Sequence, residues 1–231
     1  FDCAYPFDEN VNGNAAVSNE SGYGFINNKG EFTVEPQFKL ASYYSDNGFS
    51  AVIDNDGYML YVDSKGRTVY DEKHFTYAQP FESGAPYTFA YTVMTQDAND
   101  DKGETVSDIT DEYYLLSTDG KTVTGLSDRM GIDCVFGEYY VGFTKNVNEG
   151  SNDFTKRSYA VFSADGEQKS EWYDRIFVTD EFVLMCKTDN ETRIYKAAVY
   201  DRELNKLSDE YYCDRNPEFA DSGLVLIKRD G

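Results

Sequence analysis

The chain has 231 residues, with 21 lysines and arginines against 42 aspartates and glutamates, so its formal net charge is -21. This acidity disfavours nucleic acid and bare anionic membranes as partners, because both attract basic proteins. No run of about 18 apolar residues is present, so we expect no membrane-spanning helix. Twenty tyrosines, 16 phenylalanines and 18 glycines favour strands and turns over helices, which predicts an all-β protein.

A short aromatic phrase recurs three times at a constant interval of 37 residues. A period in this range is typical of a supersecondary repeat that buries its apolar face against a neighbouring copy. Counting an incomplete last copy, the repeats begin near Phe1, Phe38, Phe75, Met130, Tyr173 and Tyr212. The sequence therefore predicts a single β-repeat domain over residues 1–231. Because Phe1 lies inside a repeat phrase, we also expect a processed or trimmed chain.

Each repeat is expected to contain three strands joined by tight turns. In the first repeat, residues 15–17 form an opening strand, residues 22–30 end in an Asn-Asn-Lys-Gly turn, and residues 31–34 alternate polar and apolar. The fifth repeat replaces the turn glycine by Asn205, the residue that next best tolerates a positive φ. The pattern predicts tandem three-stranded β-hairpin repeats.

Residues 22–38 read Gly-Tyr-Gly-Phe-Ile-Asn-Asn-Lys-Gly, a short strand, and then Glu-Pro-Gln-Phe. This order resembles the WG-repeat (KWG repeat) family, found mostly in bacterial proteins. Tyr23 stands where the family has tryptophan, and only the first repeat keeps the following glycine, Gly24. The resemblance implies a β-propeller-like array of five to six repeats, with an open array as the alternative. It also implies an extracellular or envelope-associated interaction module without catalytic residues.

The later repeats differ from the first two in one connection. The segment between the opening strand and the central hairpin is enlarged to about residues 94–112, 145–158 and 188–196. Insertions in repeat proteins often mark the functional face, so we expect these loops to form one binding edge. The alternative is that they are tolerated, mobile hairpin tips. The binding-edge candidates are Asp97, Asp100, Asp101, Asn146, Asn148, Asp153, Asp189 and Asn190.

The longest of these loops carries oxygen-bearing residues at the spacing of a calcium loop. Asp97, Asn99 and Asp101 occupy its first, third and fifth positions, and Asp108 its twelfth. A hard cation requires several oxygens from a short turn, so these four residues are candidate calcium ligands. The alternative is a solvated acidic loop, which needs no cofactor.

Four cysteines are present without a C-x-x-C pair, which makes zinc binding of the usual spacing improbable. Cys3 and Cys213 occupy neighbouring positions of the first and last repeats. We therefore consider a disulfide between them, which would fasten the two ends of the array. The alternative is that they are buried thiols.

Catalytic motifs are not evident. His74 is the only histidine, and the carboxylates are too numerous to be diagnostic. Trp172 could stack on a sugar, but an aromatic at a repeat position is more often a core residue. We therefore expect a non-catalytic, secreted or surface-exposed bacterial module that binds a protein or glycan through its binding edge. The alternatives are a carbohydrate-active enzyme with paired carboxylates on a propeller's central face, and a structural spacer.

Overall fold

The computed structural model describes residues 2–5, 13–70, 73–99, 105–127, 129–144, 157–192 and 194–213, apart from the side chains of residues 96–99 and 105–109. These residues form strands and turns with no helix, which confirms the all-β prediction, and none of them could cross a bilayer as a helix. Residue contacts divide the chain into an N-terminal unit, Phe1–Gly131, and a C-terminal unit, Ile132–Gly231. The single domain stays a prediction.

The N-terminal unit contains three antiparallel sheets whose strands follow one another in chain order. The first sheet consists of β1 (Cys3–Ala4), β2 (Ala15–Asn19), β3 (Gly22–Ile26) and β4 (Phe32–Phe38). The second consists of β5 (Leu40–Ala41), β6 (Ser50–Ile53) and β7 (Met59–Val62). The third consists of β8 (Tyr77–Ala78), β9 (Tyr87–Asn99), β10 (Thr105–Ser117) and β11 (Val123–Gly125).

Two further antiparallel sheets follow along the chain, again with their strands in sequential order. The fourth sheet consists of β12 (Met130–Phe136), β13 (Tyr139–Thr144) and β14 (Tyr159–Ser163). The fifth consists of β15 (Arg175–Val178), β16 (Phe182–Thr188), β17 (Tyr195–Asp201) and β18 (Tyr211–Cys213). Three or four strands to a sheet, beginning near the expected positions, confirm the tandem β-hairpin repeats.

The recurring aromatic phrase marks the passage from one sheet to the next. Phe38 is the last residue of β4 and pairs with Tyr23 of the first sheet. The following residue, Lys39, donates its backbone N–H to the carbonyl oxygen of Ile53 in the second sheet, at 2.8 Å. The phrase therefore supplies a short additional strand, such as β1 or β5, beyond the three strands expected from the sequence.

Among the described residues of the N-terminal unit, two apolar cores each join neighbouring sheets, and a smaller cluster of Ala15, Val17 and Ile26 lies within the first sheet. Residues of the first and second sheets form one core, and residues of the second and third sheets form the other. Phe38 belongs to the first core and Phe75 to the second, with exposed fractions of 8% and 0%. Phe38 and Phe75 are thus core residues, as the 37-residue spacing predicted.

The tight turns share one hydrogen-bonding pattern. Asp63 Oδ1 accepts the backbone N–H groups of Lys65 and Arg67, at 2.9 and 3.0 Å, and Gly66 has a φ of +74°. In the fifth repeat, the equivalent positive φ, +68°, belongs to Leu204. The prediction that Asn205 replaces the turn glycine was wrong by one residue, because Asn205 instead donates its N–H to the aspartate that begins the turn.

The enlarged segment at residues 94–112 is mostly strand, which corrects the expectation of a long loop. β9 and β10 pair continuously from Tyr87 with Ser117 to Asn99 with Thr105. Only residues 100–104, which lie outside the described part of the chain, connect them. Cross-strand pairing can order a polar sequence whose intrinsic preference for a strand is weak.

Candidate functional site

A cavity of about 430 Å³ lies on the fifth sheet of the C-terminal unit. Met185 of β16 and Ala198 of β17 are paired across the sheet and line the cavity with nearly buried side chains. Lys187 and Lys196 form the pair two residues further along the same strands. Alternate residues of a strand share a face, so the two lysines stand beside the apolar pair. We call this region the fifth-sheet cavity.

The opposite face of the fifth sheet is a core, which keeps the cavity face in place. Leu184 and Cys186 of β16 pack with Ala197 of β17 and Cys213 of β18 in one buried cluster. Because these residues alternate with the cavity residues along the strands, the same register that buries the core directs the lysines into the cavity.

Both cavity lysines form ion pairs with carboxylates that also line the cavity. Lys187 Nζ lies 2.5 Å from Glu171 Oε2, and Lys196 Nζ lies 2.7 Å from Asp189 Oδ2. A hydrogen bond from Lys187 holds the pKa of Glu171 below its usual range, and a hydrogen bond from Lys196, followed by those from Thr192, does the same for Asp189. The pKa of Lys196 is raised by the same pair. Both carboxylates therefore remain ionised at neutral pH.

Asp189 is fixed by the turn that follows β16. Its Oδ1 accepts the backbone N–H groups of Glu191 and Thr192, at 3.0 and 2.8 Å. Its own backbone N–H donates to the carbonyl oxygen of Ile194, at 2.8 Å. One carboxylate oxygen thus orders the turn, while the other faces Lys196. Asn190, in the same turn, is exposed and also lines the cavity.

Two tyrosines give the cavity an aromatic side. Tyr173 and Tyr200 are hydrogen-bonded through their hydroxyl groups, and burial followed by this hydrogen bond raises the pKa of Tyr173. Lys187 Nζ lies 4.9 Å from the centre of the Tyr173 ring, within cation–π range. Glu210 completes the acidic lining. The cavity therefore combines aromatic rings with closely spaced hydrogen-bond donors and acceptors.

The structure places the binding-edge candidates at three kinds of position. Asp189 and Asn190 both line the fifth-sheet cavity. Asp97 lies on β9, in the third sheet. The remaining candidates lie outside the described residues; they are Asp100, Asp101, Asn146, Asn148 and Asp153. Sequence reasoning did not select Lys187, Lys196 or Glu210, since only the strand register shows that they share a face.

The calcium hypothesis assumed a continuous loop, but its described residues lie on two paired strands. Asp97 pairs with Ser107, Asn99 with Thr105, and Asp108 with Gln96. Asp108 is therefore paired with the neighbour of Asp97, on the other strand of the ladder. Among the described residues, no three His, Cys, Asp or Glu side chains are grouped as a metal site. Calcium binding stays a prediction, but the described candidate residues lie on paired strands and not on the loop from which the prediction was made.

The cysteines are thiols, and the disulfide considered between Cys3 and Cys213 is not formed in the structure. Cys3 is exposed, whereas Cys213 is buried and interacts with Cys186 in the fifth-sheet core. Burial, followed by the proximity of Cys213, raises the pKa of the Cys186 thiol. Cys213 is thus a buried thiol, as the alternative held, whereas Cys3 is an exposed one.

Two aromatic residues noted in the sequence lie outside the cavity. Trp172 is 38% exposed and packs edge-on against Phe162, so it is a surface residue and not the core residue that we expected. The His74 ring lies beside Tyr58, and its Nδ1 is 3.8 Å from Asp54 Oδ2. Neither residue is among those that line the fifth-sheet cavity, although Trp172 lies in the sequence between the lining residues Glu171 and Tyr173.

Residues 23–58 match the family model described as WG containing repeat. This match lies where the sequence resemblance was strongest and supports the WG-repeat assignment. A comparison with curated proteins found no match. Among solved structures, the acylaminoacyl peptidase of Pyrococcus horikoshii is similar over 84% of this chain and 34% of the peptidase chain, at 14% identity and a TM-score of 0.44. A likeness at this level supports no statement about fold or activity.

Proposed function

We propose that the protein is a non-catalytic β-repeat module that binds a glycan in the fifth-sheet cavity. One observation carries the proposal: Tyr173 and Tyr200 line the same cavity as two lysine–carboxylate pairs. Sugar rings have apolar faces that pack on aromatic rings and hydroxyl groups that bond to charged side chains. The volume of about 430 Å³ lies within the range of small-ligand sites.

The ionised state of Glu171 and Asp189 favours binding over glycoside hydrolysis by these two carboxylates. A glycosidase requires one carboxyl group that is protonated near neutral pH, and therefore one with a raised pKa. Glu171 and Asp189 have lowered pKa values because each is paired with a lysine. Charged carboxylates accept hydrogen bonds from sugar hydroxyls but do not protonate a leaving group.

The architecture and location that we propose follow from the repeats. The strand passages at Phe38 and Tyr173, each joining consecutive sheets, support a β-propeller-like array. Secretion or surface exposure is proposed from the WG-repeat assignment. Protease treatment of intact cells that express the full-length protein tests this location: cleavage before lysis supports it, and protection until lysis contradicts it.

A glycan array followed by calorimetry tests the binding proposal. We expect the wild-type protein to bind a defined set of glycans, and Glu210→Gln to weaken binding by about tenfold because a charged acceptor is lost. Glu203→Gln is the matched control, since this exposed carboxylate lies in the turn that follows β17 and does not line the cavity. Equal affinity of the two variants, or no binding by the wild type, would contradict the proposal.

The same samples distinguish the alternatives. Release of new reducing ends from a bound glycan during incubation would identify a carbohydrate-active enzyme. A protein that binds no glycan, and loses no partner when its enlarged loops are shortened, would be a spacer. We expect bound glycan to be recovered intact.

A further inference from the structure

The hairpin of β9 and β10 is much longer than its counterparts in the other sheets. Within the part of the chain that the structure describes, these two strands pair over 13 residues, whereas the equivalent ladders contain 5 pairs for β2 with β3, 4 for β6 with β7, 5 for β13 with β14 and 7 for β16 with β17. The flanking strand β8 pairs only with Tyr91 and Ala90 of β9. Residues 92–99 and 105–112 therefore extend beyond the four-stranded part of the sheet by about 27 Å. We call this segment the hairpin arm.

The hydrogen bonds at its base show which backbone groups of β9 lie on the outer edge. The carbonyl oxygen of Tyr91 accepts the N–H of Thr76, at 2.9 Å. The N–H of Val93 donates to Thr76 Oγ1, also at 2.9 Å. Alternate residues repeat this direction, so the backbone groups of Thr95 and Asp97 point to the same side. Within the described part of the chain, no strand pairs with β9 on that side beyond Tyr91.

The charge of the arm restricts what could pair with this edge. β9 and β10 contain four carboxylates, at Asp97, Asp108, Asp111 and Glu112, and neither strand contains a lysine or arginine. Exposed edges are commonly protected by lysine or proline, and neither occurs here. A second copy of the arm would bring like charges together across the new ladder, which is destabilising. A cationic strand would instead be attracted, and the net charge of -21 would accelerate its approach.

We propose that the outer edge of β9 in the hairpin arm binds a basic, extended segment of a partner protein by β-strand addition. Backbone hydrogen bonds to Thr95 and Asp97 supply the pairing, and the acidic composition of the arm favours an added strand that contains lysine or arginine. The hairpin arm shares no residue with the lining of the fifth-sheet cavity, and the proposal does not depend on glycan binding.

The test uses a labelled peptide, Lys-Thr-Val-Thr-Lys-Val-Thr-Lys, and fluorescence polarisation with the full chain. We expect saturable binding that weakens as salt is raised, and weaker binding of the same peptide with glutamate in place of lysine. Thr95→Pro removes an outward N–H and should raise the Kd by about tenfold, whereas the matched control Thr95→Ala, which keeps this N–H, should change it less than about twofold.

A second variant keeps the test decisive if proline disturbs the arm. Asp97→Lys should weaken binding of the lysine peptide and strengthen binding of the glutamate peptide, since it reverses a charge without removing a backbone donor. The proposal is overturned by equal binding of the two peptides to the wild type, by no saturable binding of the lysine peptide, or by unchanged peptide preference in Asp97→Lys.

Discussion

Phe75 and Met59 exchange both of their backbone hydrogen bonds, at 2.7 and 2.8 Å, although the two residues belong to different repeats. Two residues later, Tyr77 pairs with Tyr91 in the third sheet. The chain around Phe75 therefore contributes backbone bonds to two consecutive sheets, while its side chain is fully buried between them. This double role explains why the aromatic phrase recurs so regularly in the N-terminal unit.

Replacing the Phe75 side chain should strongly destabilise the N-terminal unit. We expect Phe75→Ala to lower the free energy of unfolding by about 3–5 kcal/mol, because it leaves a cavity in a core that excludes water. Tyr58→Ala is the control, since Tyr58 is 49% exposed. Urea denaturation followed by circular dichroism measures both changes. If Phe75→Ala loses no more free energy of unfolding than the control, the neighbouring core residues fill the space that the ring leaves.

Gly24 should tolerate no side chain, for a reason that the structure makes specific. A Cβ atom at Gly24 would lie 2.5 Å from the carbonyl oxygen of Val34 and 2.7 Å from the nitrogen of Pro36, both backbone atoms of β4. We expect Gly24→Ala to cost about 2–3 kcal/mol, because the strand pair must separate. Gly30→Ala is the control: nothing lies within 4 Å of its Cβ position, so only its positive φ opposes substitution, at about 1 kcal/mol. Thermal unfolding of the two variants in parallel measures both losses of stability. Equal losses would show that the close approach of the β4 backbone to Gly24 is unimportant.

Leu204 offers a stabilising substitution. Its φ of +68° is unfavourable for a side chain with a Cβ atom, and the equivalent residue in the second repeat is Gly66. We expect Leu204→Gly to raise the free energy of unfolding by about 0.5–1 kcal/mol through relief of this strain. Leu207→Gly serves as the comparison, because Leu207 is 61% exposed and has no positive φ. A lower melting temperature in Leu204→Gly would mean that leucine packing outweighs backbone strain.

The buried tyrosines should make the protein sensitive to alkaline pH. Burial raises the pKa of the Tyr44, Tyr61 and Tyr70 hydroxyls, each of which donates to a backbone carbonyl oxygen. Because the folded-state pKa is raised, their contribution is complete below the unfolded-state pKa of about 10 and is lost as the pH rises above it. We expect the urea concentration at half-unfolding to decrease as the pH is raised from about 10 to about 11. This decrease should be smaller in Tyr70→Phe than in the wild type. An identical fall in that variant would assign the effect to other groups.

Thiol titration distinguishes the exposed cysteine from the buried ones. Cys3 is exposed, whereas Cys186 and Cys213 are buried and the pKa of Cys186 is raised by burial. We expect the fastest reaction with a disulfide reagent to disappear in Cys3→Ser and to persist in Cys186→Ser, because the thiolate is the reactive form. Unfolding without reductant should reveal all four thiols. Detection of only two thiols would indicate that the disulfide between Cys3 and Cys213, which the sequence suggested, is formed.

Local and periodic features were predictable, whereas those that depend on strand register were not. The spacing from Phe38 to Phe75 predicted core residues, and both are buried. The strand at residues 94–99 was missed because its polar composition resembles a loop, and pairing with β10 decides its structure. In the cavity, Asp189 and Asn190 were selected from a loop insertion. The lysines that line the same cavity come from β16 and β17, and the pairing register of these two strands cannot be read from either segment alone.

The shared strand at Phe75 has a consequence for how the N-terminal unit opens. In a simple repeat array, each repeat interacts with its neighbour mainly through side-chain packing, and one end can unravel alone. Here, separating the second sheet at Met59 also removes the residues that lead into Tyr77 and the third sheet. Amide hydrogens of Met59 and Phe75 should therefore exchange with solvent together with those of the next sheet, as one cooperative unit.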